Sequence, residues 1–191
     1  MKYLTKELKG TYGYIKKQTV FEIIKTAVLF AMAFGIFAIG YYTLGTKKSL
    51  WSVFAVLSLL PASKSLVSVI MFLRYRSITP ELYSKIAGAA GEVPLLYELI
   101  VTTKDKTYFI EALGYAKGSL IAYSSRKGVS TLIEKHITDV LNNAAHKGVT
   151  VKIFDDEADF LRRLKELNEH LNTDGVKNTE AIFTTLRAVS L

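Results

Sequence analysis

Two long apolar runs come first in this chain. No charged residue interrupts positions 26–46, and Ser49 to Leu73 holds a single charge, Lys64. At about 1.5 Å of helical rise per residue, each run covers the roughly 30 Å of hydrocarbon in a bilayer. The pattern predicts transmembrane helices over about 21–44 and 50–73, joined by the turn "GTKKS". So short a connection makes them an antiparallel hairpin. Tyr41 and Tyr42 before the turn and Trp51 after it would form an aromatic belt at one interface.

From Ser77 the pattern becomes that of a water-soluble domain. "SITPELYSKIAGAAGEVP" predicts a helix from Pro80: Thr79 can accept from the free N–H groups of the first turn, and proline suits a position that needs no donor. Gly88, Gly91 and Pro94 end it. "LLYELIVTT" and "TYFIEALG" predict a strand hairpin around the turn "KDK", and "SLIAYSS" a third strand. Between 129 and 147 the positions Leu132, Ile133, Ile137, Val140, Leu141 and Ala144 recur at helical spacing, with Gly148 as the stop. "VTVKIF" predicts a fourth strand, "DDEADFLRRLKELNEHL" an amphipathic helix with acids at its start, and "TEAIFTTLRAV" a last helix. The fold class expected is an α+β membrane protein, a two-helix transmembrane hairpin followed by a cytoplasmic domain of order α-β-β-β-α-β-α-α. Residues 1–18 form a basic segment at the headgroup level, 19–76 the hairpin and 77–191 the domain. Strand three, its following helix and strand four should form a right-handed parallel crossover.

Composition supports the spans: half of the 191 residues are hydrophobic, and the mean hydropathy is +0.23. The net charge of +8 would by itself point to nucleic acid, but it divides into +9 for residues 1–76 and −1 for residues 77–191. The excess belongs to the membrane part, so no nucleic-acid partner is expected. Lys2, Lys6, Lys9, Lys16 and Lys17 precede the first span, Lys47 and Lys48 lie in the turn, and Arg74 and Arg76 follow the second. The positive-inside tendency then puts both termini in the cytoplasm of a multi-pass plasma-membrane protein. The first apolar run is too long for the core of a signal peptide and leads straight into a second, so both spans should persist. The absence of cysteine excludes disulfides, thiolate metal sites and a cysteine nucleophile.

Lys64 is the residue the span explains least. Counting from the turn puts it level with Phe30 or Ala31, whereas Glu22 falls level with about residue 72, roughly 12 Å away along a helix. A direct ion pair is not expected. Pro61 frees a backbone carbonyl, and Ser58, Ser65 and Ser68 share or flank one side, so the group is either a polar track or oligomer contact, or a lysine that snorkels to the headgroups. Ala27, Ala31 and Gly35 stand at four-residue steps, a small-residue stripe expected to admit the second span.

Chemistry in the domain is sparse. Its element order resembles the core of the restriction-endonuclease-like nucleases, which need an acid on the second strand and a Glu-x-Lys pair on the third. Glu111 fits the first role, but "SLIAYSS" supplies neither acid nor lysine. "ITDVLNNAAHKGVTVKIFDD" looks like a segment of phospholipase D-like domains, yet the His-x-Lys motif is missing, since His146 is followed directly by Lys147 and Gly148. The acids of "FDDEADF" are explained by Asp155 or Asp156 capping a helix, with Glu157 and Asp159 at the positive end of its dipole. His136, His146 and His170 lack metal-ligand spacing. No cofactor or metal is expected.

The run "YYTLGTKKSLWSVFAVLSLLPASKSLVSVIMFLRYRS", with "FAMAFGIFAIG" before it, resembles small uncharacterised bacterial two-span proteins that end in a cytoplasmic α/β domain. Some carry a label likening them to O-linked GlcNAc transferases. The residues do not support that label: 115 positions after the spans are too few for a typical sugar-nucleotide transferase domain, and no donor motif is present. The resemblance implies architecture alone. The expected function is a membrane-tethered module that contacts the lipid bilayer and either self-associates or binds a protein partner. The alternatives are a membrane-bound enzyme acting on a lipid or nucleotide, and an oligomeric channel or transport component using Lys64.

Overall fold

The computed structural model describes residues 9–44, 50–103, 106–170 and 179–190. Lys2, Lys6, the turn 45–49 with Lys47 and Lys48, most of "KDK" and the side chain of Trp51 lie outside the described residues. Two compact units emerge: Ile15–Arg76, and Ser77–Leu191 together with the residues up to Tyr14.

The first unit consists of two helices, α1 (Tyr14–Leu44) and α2 (Leu50–Leu73), both long and apolar enough to cross a membrane. α1 starts well before the expected position 21. Its buried positions Glu22, Thr26, Ala33 and Gly40 meet Ala55, Ala62, Ser65, Val69 and Phe72 of α2. These steps of three, four and seven are the 3.5-residue period of a left-handed helix pair. Ala27 and Ala31 are exposed instead, and the space above Gly35 is open. The expected stripe therefore does not receive the second helix. The seam is decided by polar groups that must face one another when their surroundings are apolar, and Glu22, Thr26 and Ser65 draw it to nearly the opposite side of α1 from the stripe.

The second unit is a three-layer α+β domain. Its elements are α3 (Pro80–Ala90), β1 (Leu95–Thr102), β2 (Thr107–Ala116), β3 (Ser119–Tyr123), α4 (Ser130–Asn143), β4 (Thr150–Phe154), α5 (Glu157–Glu169) and α6 (Thr179–Val189). The sheet runs β1-β2-β3-β4, antiparallel except for the parallel β3–β4 pair that α4 connects. One face packs Leu99, Ile110 and Leu113 against Ile133 and Ile137 of α4 and Phe183 of α6. The other packs Ala112, Ile121 and Tyr123 against Ile86 of α3 and Phe160 and Leu164 of α5. Local signals account for the helix starts. Thr79 Oγ1 accepts from Leu82 N, with Pro80 next, and Asp156 accepts from the N–H groups of Ala158 and Asp159. α4 ends before Gly148, because Ala145 takes a left-handed φ of 63° and His146 N donates back to Leu141 O.

The β1 edge is covered, and one outward N–H of the β4 edge is taken by a side chain. Residues 9–14, expected to be a headgroup-level tail, lie along β1, where Tyr97 N donates to Gly10 O at 2.9 Å. Further along, Ser190 bridges Val101. On the opposite edge Glu134 Oε1 accepts from Ile153 N at 2.9 Å. Gly10 is required where it stands. Its φ is +84°, and an added Cβ would meet Leu96 Cδ2 at 2.6 Å. Gly10→Ala is expected to lower the unfolding free energy of this unit by about 1–3 kcal/mol in urea titration followed by near-ultraviolet circular dichroism; an unchanged midpoint would mean that the segment contributes nothing to the fold.

Candidate functional site

Polar side chains buried in apolar surroundings mark three places in the molecule. The first is inside the helix pair. Thr26 Oγ1 bonds Ser65 Oγ at 2.7 Å and also reaches its own helix at Glu22 O, while Ser65 Oγ donates to Glu22 Oε2 at 3.4 Å. Glu22 also pairs with Lys25 and accepts from Gln18 Nε2. Thr26 thus faces Ser65, and the apolar groove of about 210 Å³ between Ala33 and Phe37 on α1 and Ala55 and Leu59 on α2 continues the same register. Glu22 reaches α2 higher than the turn-based count predicts, one residue from Lys64. Lys64 itself, with Pro61, lies on the outer face, and its ammonium has no partner among the described residues. Ser58 and Ser63 donate to carbonyls of their own helix, and Ser68 to Lys64 O. The anticipated polar track around Lys64 does not assemble; of Pro61, Lys64, Ser65 and Ser68, only Ser65 enters the polar cluster.

The second place is a matched distortion of β1 and β2. Leu96 and Leu99, three apart, face the same layer, as do their partners Leu113 and Ile110. Each strand therefore carries one residue too many for strict alternation at the same level, and register is kept because the two excesses cancel. Glu98 and Glu111 occupy this level. Glu98 takes a left-handed φ of 53° and is 1 % exposed. Its Oε1 accepts from Gly13 N at 3.1 Å and Ile78 N at 3.2 Å, and from the Ser77 hydroxyl. Glu111 accepts from Ser125 N at 3.2 Å on both oxygens and from Ser125 Oγ. Burial pushes the Glu111 carboxyl above its ordinary value, partly offset by Ser125. Beside the N-terminal segment, Tyr12, Tyr83 and Tyr97 stack at 4.2 and 5.2 Å. Burial pushes the Tyr97 hydroxyl up to about 12.

The third place is a groove of about 560 Å³ between the β1–β2 turn and α4. Thr103 and Lys106 close the turn by mutual hydrogen bonds of 2.7–3.1 Å, which hold Lys106 at the rim with Tyr108 below it. Across from them α4 presents Leu132, Lys135, His136 and Asp139. His136 Nε2 is buried there with no hydrogen-bond partner.

Sequence reasoning singled out Glu111, which is a structural carboxylate committed to Ser125, and Asp156, which caps α5. His146 meets Thr185 at 3.2 Å, and among the described residues no group of three His, Asp or Glu could hold a metal ion. The chain reasoning missed Glu98, whose signal was an acid in the middle of the apolar strand "LLYELIVTT". It also missed the groove, whose walls come from segments about 30 positions apart. Comparison with protein-family models, curated proteins and solved structures finds no match.

Two carboxylates give two expectations. Glu98→Ala leaves three donors unanswered and should cost about 3 kcal/mol or more in urea unfolding, with Glu98→Gln costing less because it keeps an acceptor; equal, negligible losses would refute the clasp. For Glu111 the raised folded-state value means that the folded form favours the proton. Its contribution is full below the ordinary value of 4.5 and is lost as pH rises through the folded-state value. Stability should therefore decline as pH rises above about 4.5 by more in the native chain than in Glu111→Gln.

Proposed function

We propose that the chain is a membrane-anchored binding module without a reaction of its own. The reading is carried by where large apolar side chains remain exposed. Among the described residues those on α1 and α2 form a continuous series from Val20 to Leu73, whereas the other unit contributes Leu132 and Val189. A surface of that size left to water would drive aggregation, and lipid is the solvent that fits it. The hairpin is the anchor, and the sheet unit is what it holds at the membrane.

Charge supports a hairpin with both ends in the cytoplasm. Lys16, Lys17, Lys25, Arg74 and Arg76 gather at its open end. Lys64 sits nine positions before Leu73, about 14 Å along the helix, in the inner part of the span. Exposed there without an acidic partner, it extends its aliphatic stem toward the cytoplasmic headgroups. The polar contacts of Glu22, Thr26 and Ser65 act as the internal lock of the anchor.

The test uses the cysteine-free chain in a bacterial host. It should resist alkaline carbonate extraction. A membrane-impermeant maleimide should label Lys48→Cys in intact cells and Lys127→Cys only in inverted vesicles; release by carbonate, or labelling of Lys127→Cys from outside, would overturn the reading. A chimera in which an unrelated two-span hairpin replaces residues 15–76 should keep the melting temperature of the sheet unit. Removing residues 1–14 as well should lower it by about 5 °C or more, because residues 10–13 belong to that unit's packing.

A further inference from the structure

We propose that the groove between the β1–β2 turn and α4 binds a phosphomonoester carried on an apolar or aromatic body. This rests on the reading of the sheet unit as a binding module and names its ligand class. Three observations meet in the groove. Lys106 and Lys135 stand on opposite walls, and neither forms an ion pair with an acid among the described residues. Two ammonium groups against one carboxylate, Asp139, leave the lining with a net positive charge that favours a phosphate.

The second observation is the imidazole between them. His136 Nε2 is buried without a partner, a deficit that folded proteins ordinarily avoid. Histidine's χ2 torsion is broad, so a modest ring rotation suffices to turn a nitrogen toward a bound oxygen. A phosphoryl oxygen seated between the two lysines would supply the absent partner.

The third observation concerns the rest of the ligand. Leu132 is 54 % exposed, one of two large apolar side chains that the sheet unit leaves to solvent among the described residues, and it belongs to this groove with Tyr108. An inorganic anion would not use that surface, whereas an organic phosphate would cover it. Asp139, at the same wall, repels a second negative group and favours a ligand whose body carries a hydroxyl or amine.

The probe is phenyl phosphate, titrated into the full chain in detergent micelles with its three histidines labelled at the ring nitrogens. Saturable shifts of the His136 signal are expected, with a dissociation constant of about 1 mM or tighter. Lys106→Gln with Lys135→Gln should weaken binding at least tenfold, and Lys127→Gln should leave it unchanged. Leu132→Ser should weaken phenyl phosphate several-fold but not inorganic phosphate, and Asp139→Asn should tighten both. A short-chain phosphatidic acid that shifts His136 more strongly than phenyl phosphate would assign the phosphate to a lipid headgroup, and the reverse order to a soluble metabolite. No saturable shift at about 10 mM, or an equal loss in Lys127→Gln, would overturn the groove assignment and leave the anchor untouched. Phenol release from bound probe would overturn the non-enzymatic reading while the groove assignment stands.

Discussion

One buried carboxylate oxygen, Glu98 Oε1, holds together the points at which the chain leaves and re-enters the sheet unit. Gly13 is the last residue before α1, and Ser77 and Ile78 follow the end of α2, so the chain leaves this unit and returns to it at groups that bond the same atom. The sixty-odd positions between them are bridged within the unit by a few hydrogen bonds rather than by sequence proximity. The left-handed backbone at Glu98 is costly for a residue with a Cβ, by about 1 kcal/mol or more, and persists because these donors have no other acceptor of comparable strength. The matched excess in β2 follows from it. If β1 shifts phase at Glu98 and register is to hold, β2 must shift at the same level, and Glu111 is the residue exposed to that demand.

The same logic of obligatory polar pairing sets the helix pair. Small residues permit close approach on several faces of α1, and Ala27, Ala31 and Gly35 offer one of them. They carry no penalty if left uncovered. Glu22, Thr26 and Ser65 do, because apolar surroundings supply no hydrogen bonds to a carboxylate or a hydroxyl. The face with something to lose wins the contact. Lys64, exposed on the outer face of α2, takes no place in the seam.

These choices mark how far the sequence can be taken. Elements with local causes were legible: Thr79 and Pro80 at the start of α3, Asp156 at the start of α5, the four strand runs and both apolar helices could all be located from neighbouring residues. What escaped depends on contacts between distant positions. Gly10 in "KGTYG" looks like part of a basic tail until Leu96 is known to lie against it. The seam escaped because periodicity ranks faces by size and hydropathy, whereas hydrogen-bond need decided it. Glu111 was noticed for its type, and its partner Ser125 removed the chemistry that the type suggested.

The edges of the sheet bear directly on the reading of this unit as a binding module. A free edge strand offers a row of N–H and C=O groups that any extended peptide can join. Here Gly10 and Ser190 occupy β1, and on β4 Glu134 takes the outward N–H of Ile153 while its charge is balanced by Lys152 at 3.2 Å. The broad faces are filled by α3 and α5 on one side and by α4 and α6 on the other. In the proposed reading, recognition then falls to side chains at the end of the sheet, in the groove between the β1–β2 turn and α4. That end brings together an exposed leucine, two lysines without an ion pair among the described residues and a buried histidine nitrogen without a partner. Under the reading proposed above, a unit whose β1 edge and both faces are filled suits a small ligand at this end of the sheet better than an added strand.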